Sequence, residues 1–511
     1  MYEQCFGEGP FVFRVNDNGS GPQLLTQVCL ERGWREYNPE CNEHWNLWWR
    51  TSGFPISHHR TLYSWQFINH IPKGSAICRK DNLARYLRCM KKVYGSIYDF
   101  SPHGYNLPLE YTKLAAECSR IRALAAKDDE DLELQDESPV WIYKPVSQSQ
   151  GRGIFLFRKL SDLTYDANAI VQRYIEKPLL IGGYKFDLRL YVCVPSYHPV
   201  TIYMYREGLT RFGTDKFSLN DLRNPFRHLT NSSLNKLGPG YSEMKDRIGS
   251  GCKWTLRQLR IYFQQAGISD WLLWQRISCL VVLTVLSHVT QVPPTVNCFE
   301  FFGFDVLVDS TLRPWLLEVN LSPALGNDCD ADRTVKKPML HDMFDLLGLP
   351  LYNTGLSVFT VWTDETSNSS CICCDSENSS EEKLPTRRKS TAISVNKTLV
   401  KPVTYKPNFS DPLSQSKQAS DEARKTFDNK CWGNGRDWER APTNEGGWVR
   451  IWPMGQVENK SNIKNMVGQI TKFSKTAKDI PKRYPMASEA QWNEILKQSL
   501  NLTTDIWYPI K

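Results

Sequence analysis

Two neighbouring stretches show the hydrophobic pattern of this chain most clearly. In 301–310, FFGFDVLVDS, the apolar positions Phe302, Phe304, Val306 and Val308 alternate with a set that includes Asp305 and Asp309. In 314–325, PWLLEVNLSPAL, Trp315, Leu317, Val319 and Leu321 alternate with Leu316, Glu318 and Asn320. A period of two marks β-strands, whose successive side chains point to opposite faces. The short DSTLRP link between the stretches predicts a hairpin. One face of it is apolar, and the other offers Asp305, Glu318 and Asn320 together. Such a face either meets water or holds a hard cation such as Mg²⁺ with its oxygen donors.

The same period recurs upstream. In YKFDLRLYVCV (184–194), Lys185, Asp187 and Arg189 share a face opposite Phe186, Leu188 and Leu190. Three alternating charges form a surface ladder or, facing a cleft, hold ribose hydroxyls and polyphosphate. WIYKPVSQSQGRGIFLF (141–157) reads as a strand that delivers Lys144, a small-residue loop with Gly151 and Gly153, and a second apolar strand. Such a loop can wrap phosphates with its backbone N–H groups, or be an ordinary hairpin turn; it is not a Walker motif. AIVQRYIEKP (169–178), with Gln172 near a hinge, completes a possible nucleotide pocket. The apolar run ISCLVVLTVLSHV (277–289) reads as a buried helix, and no stretch reaches the 18 or so apolar residues of a membrane span. Strand-like and helix-like segments alternate over the first 350 or so residues, as in a mixed α/β enzyme.

Composition then changes along the chain. An acidic loop, KDDEDLELQDESP, occupies 127–139, and from 363 onward Ser, Thr, Asn, Lys and Pro dominate. Between Pro385 and Phe427 nine Lys or Arg stand against three acids, which suits a solvated linker or an arm for an acidic partner. Further on, CWGNGRDWERAPTNEGGWVRIWP has some capacity to order, and ASEAQWNEILKQSL reads as a short amphipathic helix. The 511 residues, 41% hydrophobic, can bury a large core, and the net charge of +8 favours an acidic partner without requiring nucleic acid. Fifteen cysteines, scattered singly for the most part, suit reduced thiols in the cytosol. Cys371, Cys373 and Cys374 could bind metal or carry a lipid, but no partner pair follows at zinc-finger spacing. The N-terminus lacks the basic and apolar regions of a signal peptide.

Ten motifs in register resemble the tubulin tyrosine ligase-like family, and its polyglutamylase branch most. They include ICRKDNLARYL, WIYKP, SQGRGIFL, IVQRYI, GYKFDLRLYV, REGLTRF, HLTNSSLNK, GCKWTL, CFEFFGFDVLVD and PWLLEVNLSPAL, within a span from Gly9 to Leu349. The resemblance implies an ATP-grasp fold with a small N-terminal α/β domain. Its divisions would be 1–75 for that domain, 76–184 and 185–352 for the two ATP-grasp domains, 353–430 for a disordered basic linker and 431–511 for a partly ordered tail. It implies ATP contacts at Lys80, Lys144, Gln150, Gly151, Gln172, Arg173, Tyr174, Ile175, Lys185, Asp187, Thr230 and Asn231. Mg²⁺ would sit on Asp305, Glu318 and Asn320. The incoming amino acid, free L-glutamate, would meet Gln150, Arg211, Ser232, Ser233, Lys253 and Lys336. Lys144, Lys185 and Arg189 would neutralise charge in phosphoryl transfer, and Arg211 would clamp a carboxylate. The implied reaction is ATP-dependent addition of glutamate to side chains in acidic tubulin tails, by a monomeric cytoplasmic enzyme of the cytoskeleton, cilia or basal bodies. Glycine or tyrosine ligation, or a catalytically idle microtubule-binding protein, are the alternatives. Ser232 departs from the Tyr common in HLTNYS, which opens the amino-acid pocket, and SPHGYNLPLEY departs from the family's aromatic and basic version.

Overall fold

The computed structural model describes residues 2–7, 9–41, 44–128, 138–165, 168–351, 431–455 and 462–510. Residues 129–137 of the acidic loop, the cysteines at 371–374 and the basic stretch 385–427 lie outside the described residues. Three sheets organise the fold. The first is parallel, with strands β1 (Val12–Val15), β2 (Arg35–Glu36), β3 (Leu47–Trp49) and β4 (Phe67–Ile68) in the order β2-β1-β3-β4. The second is antiparallel: β5 (Gly104–Leu107), β6 (Trp141–Pro145), β7 (Phe155–Phe157) and β8 (Ala169–Arg173), ordered β5-β8-β6-β7.

The third and largest sheet holds β9 (Leu180–Ile181), β10 (Tyr184–Tyr197), β11 (Val200–Phe212), β12 (Lys253–Thr255), β13 (Glu300–Val308), β14 (Pro314–Asn320) and β15 (Trp448–Trp452). Its main path runs β12-β11-β10-β13-β14, with β9 paired to β10 and β15 to β11. Alternation divides its side chains between two cores. Leu188, Leu190, Val192, Phe302, Phe304 and Val306 pack with helix Trp271–Leu286, the expected buried helix. Among the described residues one stretch, Trp271–Gln291, is long and apolar enough to cross a membrane, and 83% of its apolar window is buried inside the protein. On the opposite face Tyr191, Cys193, Tyr203 and Phe301 pack with Val335, Met339, Leu340 and Met343 of helix Asp330–Leu346.

Three sequence expectations need correction. First, the partly ordered tail expected over 431–511 is, in its described residues, part of the core: β15 adds a strand beside β11, and 431–455 and 462–510 belong to the same compact unit as the described residues up to 351. Helix Ile463–Arg483 buries Val467, Ile470 and Phe473 in the first of those cores, and the expected amphipathic helix forms at Glu489–Leu500 behind a Ser488 capping box. Arg260, buried, then fastens the end of the chain by donating to Asp270 (2.9 Å), Glu489 (3.1 Å) and the Pro509 carbonyl (2.8 Å). Second, the chain joins the third sheet before 185, because Pro178 bridges Asp309 and Leu180–Ile181 pairs with β10. Third, β14 does not alternate strictly. Its register against β13 slips between Glu318 and Leu316, so Leu317 is the extra residue of a bulge. Leu316 and Val319 therefore both enter the core, while Leu317 and Glu318 both line a cleft.

Candidate active site

The cleft lies between the second and third sheets. From the second sheet, β6 delivers Lys144 and β8 delivers Gln172, and the Lys144 ammonium donates to the Gln172 side-chain carbonyl at 3.0 Å. Gln172 thus sits inside a strand, not at a hinge. The loop between β6 and β7 closes one end. Gln150, Gly151 and Gly153 there have φ of 62°, 80° and 67°, left-handed conformations that the two glycines adopt at little cost. A Cβ on Gly151 would stand 3.0 Å from the Asn231 side-chain oxygen, so the close approach of loop and Asn231 also favours glycine. Lys80, the first residue of helix Lys80–Tyr94, reaches the same space and donates to the Gln148 carbonyl at 3.1 Å.

From the third sheet, Lys185 is buried and its ammonium donates to the Tyr174 hydroxyl (3.0 Å) and the His228 carbonyl (2.7 Å). It also lies 4.6 Å from the Tyr174 ring centre. Tyr174 and the His228 Nδ1 are 3.1 Å apart, and the other ring nitrogen of His228 meets the Asp221 carbonyl at 2.8 Å. Burial pushes Lys185 down to about 7, with Lys144 adding to the effect and Asp187 opposing it. Burial likewise brings Lys144 down to about 8, against the opposing pull of Glu318. A site that penalises lone ammonium groups in this way suits an anion that would restore their charge.

Beside the lysines runs a chain of opposite charges. The Arg211 guanidinium donates in a fork to Asp187 and is 2.8 Å from Asp305 Oδ2, while Arg189 Nε donates to Asp305 Oδ1 at 2.5 Å. Burial would raise the Asp305 carboxyl, but the two guanidinium groups outweigh it and hold Asp305 well below the usual carboxylate range. Glu318 stands directly across from Asp305 in the strand register. Burial first, then the Asp305 charge, pushes Glu318 up; it forms an ion pair with Lys80, at 3.8 Å. Asn320 donates to Asp305 Oδ2 at 3.3 Å, which leaves its amide oxygen for another partner. Among the described residues no three His, Cys, Asp or Glu form a metal cluster. Two facing carboxylates and an amide oxygen nonetheless fit a Mg²⁺ that takes its remaining ligands from phosphates and water.

All twelve residues expected at ATP positions line this one cleft, together with Arg211, Asp305 and Glu318. Arg189 and Asn320 are not among the lining residues, and both bond to Asp305, which is. Ser232 and Ser233 open the short helix Ser232–Asn235 and do not line the cleft. Lys253 and Lys336 lie apart from it too, both held by the buried Asp332 at 2.6 and 2.8 Å. Arg211 is not a free clamp, since Asp187 and Asp305 already occupy its guanidinium. Pro102, Gln148, Ile154, His228 and Leu307 also line the cleft and were not singled out from the sequence. For His228 a signal existed, its position at the head of HLTNSS.

Fold and site together define a class: a mixed α/β protein whose cleft gathers lysines and carboxylates between two antiparallel sheets. The profile of the tubulin-tyrosine ligase family matches residues 57–354, and the chain belongs to that family. It is 46% identical over 343 residues to the probable tubulin polyglutamylase TTLL2 of Homo sapiens, covering 66% of this chain and 56% of that protein. The Mus musculus TTLL2 is also 46% identical over 343 residues, covering 66% of this chain and 62% of that protein. The tubulin polyglutamylase TTLL5 of Homo sapiens is 37% identical over 339 residues, covering 64% of this chain and 25% of that protein. The chain therefore spans little more than half the length of human TTLL2 and a quarter of TTLL5.

Proposed function

We propose that this chain is an ATP-dependent ligase that adds glutamate to glutamate side chains of acidic tubulin tails. It would use an ATP-grasp frame, with the second and third sheets as the lobes that hold the nucleotide and the cytoskeleton as its place of work. The observation that carries the reading is the convergence of residues from β6, β8, β10, β11, β13, β14, helix Lys80–Tyr94 and the intervening loops on one cleft. The names of the TTLL2 and TTLL5 relatives as tubulin polyglutamylases support the substrate.

In this reading an acceptor carboxylate oxygen attacks the γ-phosphorus of ATP, the bond to ADP breaks and an acyl phosphate forms. The amine of free glutamate then attacks the acyl carbon, inorganic phosphate leaves, and the amine gives up its proton. Attack of one anion on another is limited by repulsion, so neutral-to-cationic groups positioned in advance supply most of the help. Lys144 and Lys185 would regain full charge against the phosphates. Arg189 and Arg211 hold Asp305 ionised and in place. Mg²⁺, when bound at Asp305, Glu318 and Asn320, would screen the phosphate charge. For Arg211 to clamp the incoming carboxylate, its fork must exchange Asp187 for that ligand.

The test is incorporation of labelled glutamate, glycine or tyrosine into tubulin with and without MgATP, beside a thermal melt with nucleotide. A ligand that binds the native state alone raises the melting temperature. Glutamate incorporation together with a nucleotide-dependent rise supports the reading; no rise at saturating MgATP overturns it.

A further inference from the structure

A second concave surface begins one residue further along the chain from the cleft. Pro102 lines the cleft, and the next residue, His103, lines a separate groove between helix Lys80–Tyr94 and helix Tyr111–Asp128. One wall carries Arg85, Arg88 and Lys92, spaced three and four residues apart and so stacked on one helix face. The other carries Lys113 and Arg120, again seven apart. Five cationic side chains therefore face two acids, Glu110 and Glu117.

The acids are already committed. Arg88 meets both oxygens of Glu110, at 3.0 and 2.9 Å, and Arg120 meets both oxygens of Glu117, at 2.7 Å each. Lys113 lies 3.6 Å from Glu110. Arg85 donates to the neutral Asn82 side chain at 2.9 Å, and among the described residues neither Arg85 nor Lys92, both exposed, has an acidic partner. The groove thus keeps an excess of positive charge on its open wall.

The floor is β5, the edge strand of the second sheet. An exposed edge would invite a peptide to add as another strand. Here the Gly104 carbonyl accepts from Arg88 (3.1 Å) and the Asn106 N–H donates to Glu110 (2.8 Å), so that route is closed. What remains for a partner is side-chain charge. Tyr105 of the floor is buried, and the one exposed ring in the groove is the imidazole of His103, set edge-on to Tyr105 with centres 4.9 Å apart, which gives a single-stranded nucleic acid little to stack on.

We propose that this groove docks a carboxylate-rich peptide segment, gripped by Arg85, Lys92 and Lys113. The proposal rests on the reading that the acceptor is an acidic chain, and gives that chain a course: helix Lys80–Tyr94 begins at Lys80 in the cleft and carries Arg85 and Lys92 along the groove.

The experiment compares wild type with Arg85→Glu/Lys92→Glu and with the charge-keeping Arg85→Lys/Lys92→Arg. Each is titrated with a fluorescent oligoglutamate peptide at several salt concentrations, with nucleotide binding and thermal melting measured in parallel. Charge reversal should weaken the peptide by about tenfold or more at low salt, with the difference shrinking as salt rises. Nucleotide binding and melting temperature should hold, and the charge-keeping variant should match wild type. Peptide affinity within twofold of wild type after charge reversal, or no peptide binding by wild type, overturns the groove. So does tighter binding of an oligonucleotide of equal length that charge reversal abolishes. Charge-sensitive peptide binding in a protein that transfers no glutamate would keep the groove and remove the ligase reading.

Discussion

One face of the third sheet has two halves with opposite character. On β10, Tyr191 and Cys193 lie in an apolar core, while Lys185, Asp187 and Arg189, at the same alternation, form the wall of the cleft and its backing. On β13, Phe301 belongs to the core, as does Phe299 just before the strand, and Asp305, four residues after Phe301, belongs to the cleft. Tyr191 and Phe301 stack with ring centres 5.9 Å apart and planes 9° from parallel. The backbone ladder between β10 and β13 runs through both halves without a break. What differs is the cover. Helix Asp330–Leu346 and Trp448 of β15 close over the apolar half, whereas the charged half faces the second sheet across a cleft. The strands therefore supply rigid, evenly spaced positions, and the covering layer decides whether a position serves stability or chemistry.

The largest test removes the cover. A chain ending at Leu351 loses β15, Trp448, Trp507 and helix Ile463–Arg483, all built into the cores of the third sheet. Losing one large buried side chain costs about 3–5 kcal/mol, and a whole domain is stable by only about 5–15 kcal/mol. The truncated chain should show no cooperative thermal transition and no near-ultraviolet dichroism. A melt within a few degrees of the full chain would mean that the C-terminal segment adds little to the core.

A second comparison sets Phe301→Ala against Asp305→Asn on the same strand. The first should cost about 3–5 kcal/mol in denaturant titration through the cavity it leaves, with nucleotide affinity per folded molecule unchanged. The second leaves Arg189 and Arg211 without their shared carboxylate, a loss of about 3–5 kcal/mol for a buried pair, and should weaken nucleotide binding as well. Equal loss of nucleotide affinity in both would merge the two halves into one functional unit.

Glu318→Gln sharpens the division further. It keeps shape and removes one of two facing carboxylates, so folding should be unharmed or slightly favoured. Turnover should fall by about a hundredfold or more, the scale expected when charge stabilisation in a dry site is lost. Wild-type turnover at saturating Mg²⁺ would remove Glu318 from the metal site.

How much of this was legible in the sequence follows from the range of each interaction. The apolar alternation of 302–308 and of 186–190 is local, and the structure keeps it. The bulge at Leu317 depends on how β14 meets its partner, which a single strand does not reveal. The tie from Lys185 to Tyr174 and His228 joins three separate segments, and only the motif around His228 hinted at it. For β15 the cue was weakest: WVRIW is buried at every position, so it has no alternation to read, and its partner β11 lies more than two hundred residues upstream. The cleft residues outside neighbouring strands, such as Gln150 and Thr230, came from family resemblance and not from spacing.

The smallest effect is a proton. With Lys185 near 7 and Lys144 near 8, the cleft without nucleotide is largely neutral at Lys185 and about half so at Lys144 at pH 8. Polyphosphate beside them would favour the charged forms, so binding should take up roughly one proton per ATP at pH 8. Affinity should then fall as pH rises through 7 to 9. Stability of the nucleotide-free protein should move the other way. Between the folded value near 7 and the unfolded value of about 10.4, the unfolded chain binds more protons at Lys185, so this contribution to stability rises with pH. Calorimetry in buffers of different ionisation enthalpy measures the uptake directly. Lys185→Arg, which cannot shed its proton in this range, should lower it by most of a proton. Uptake that is absent in wild type, or unchanged in that variant, would show that Lys185 keeps its charge in the empty cleft, and the burial argument for the site would fail there.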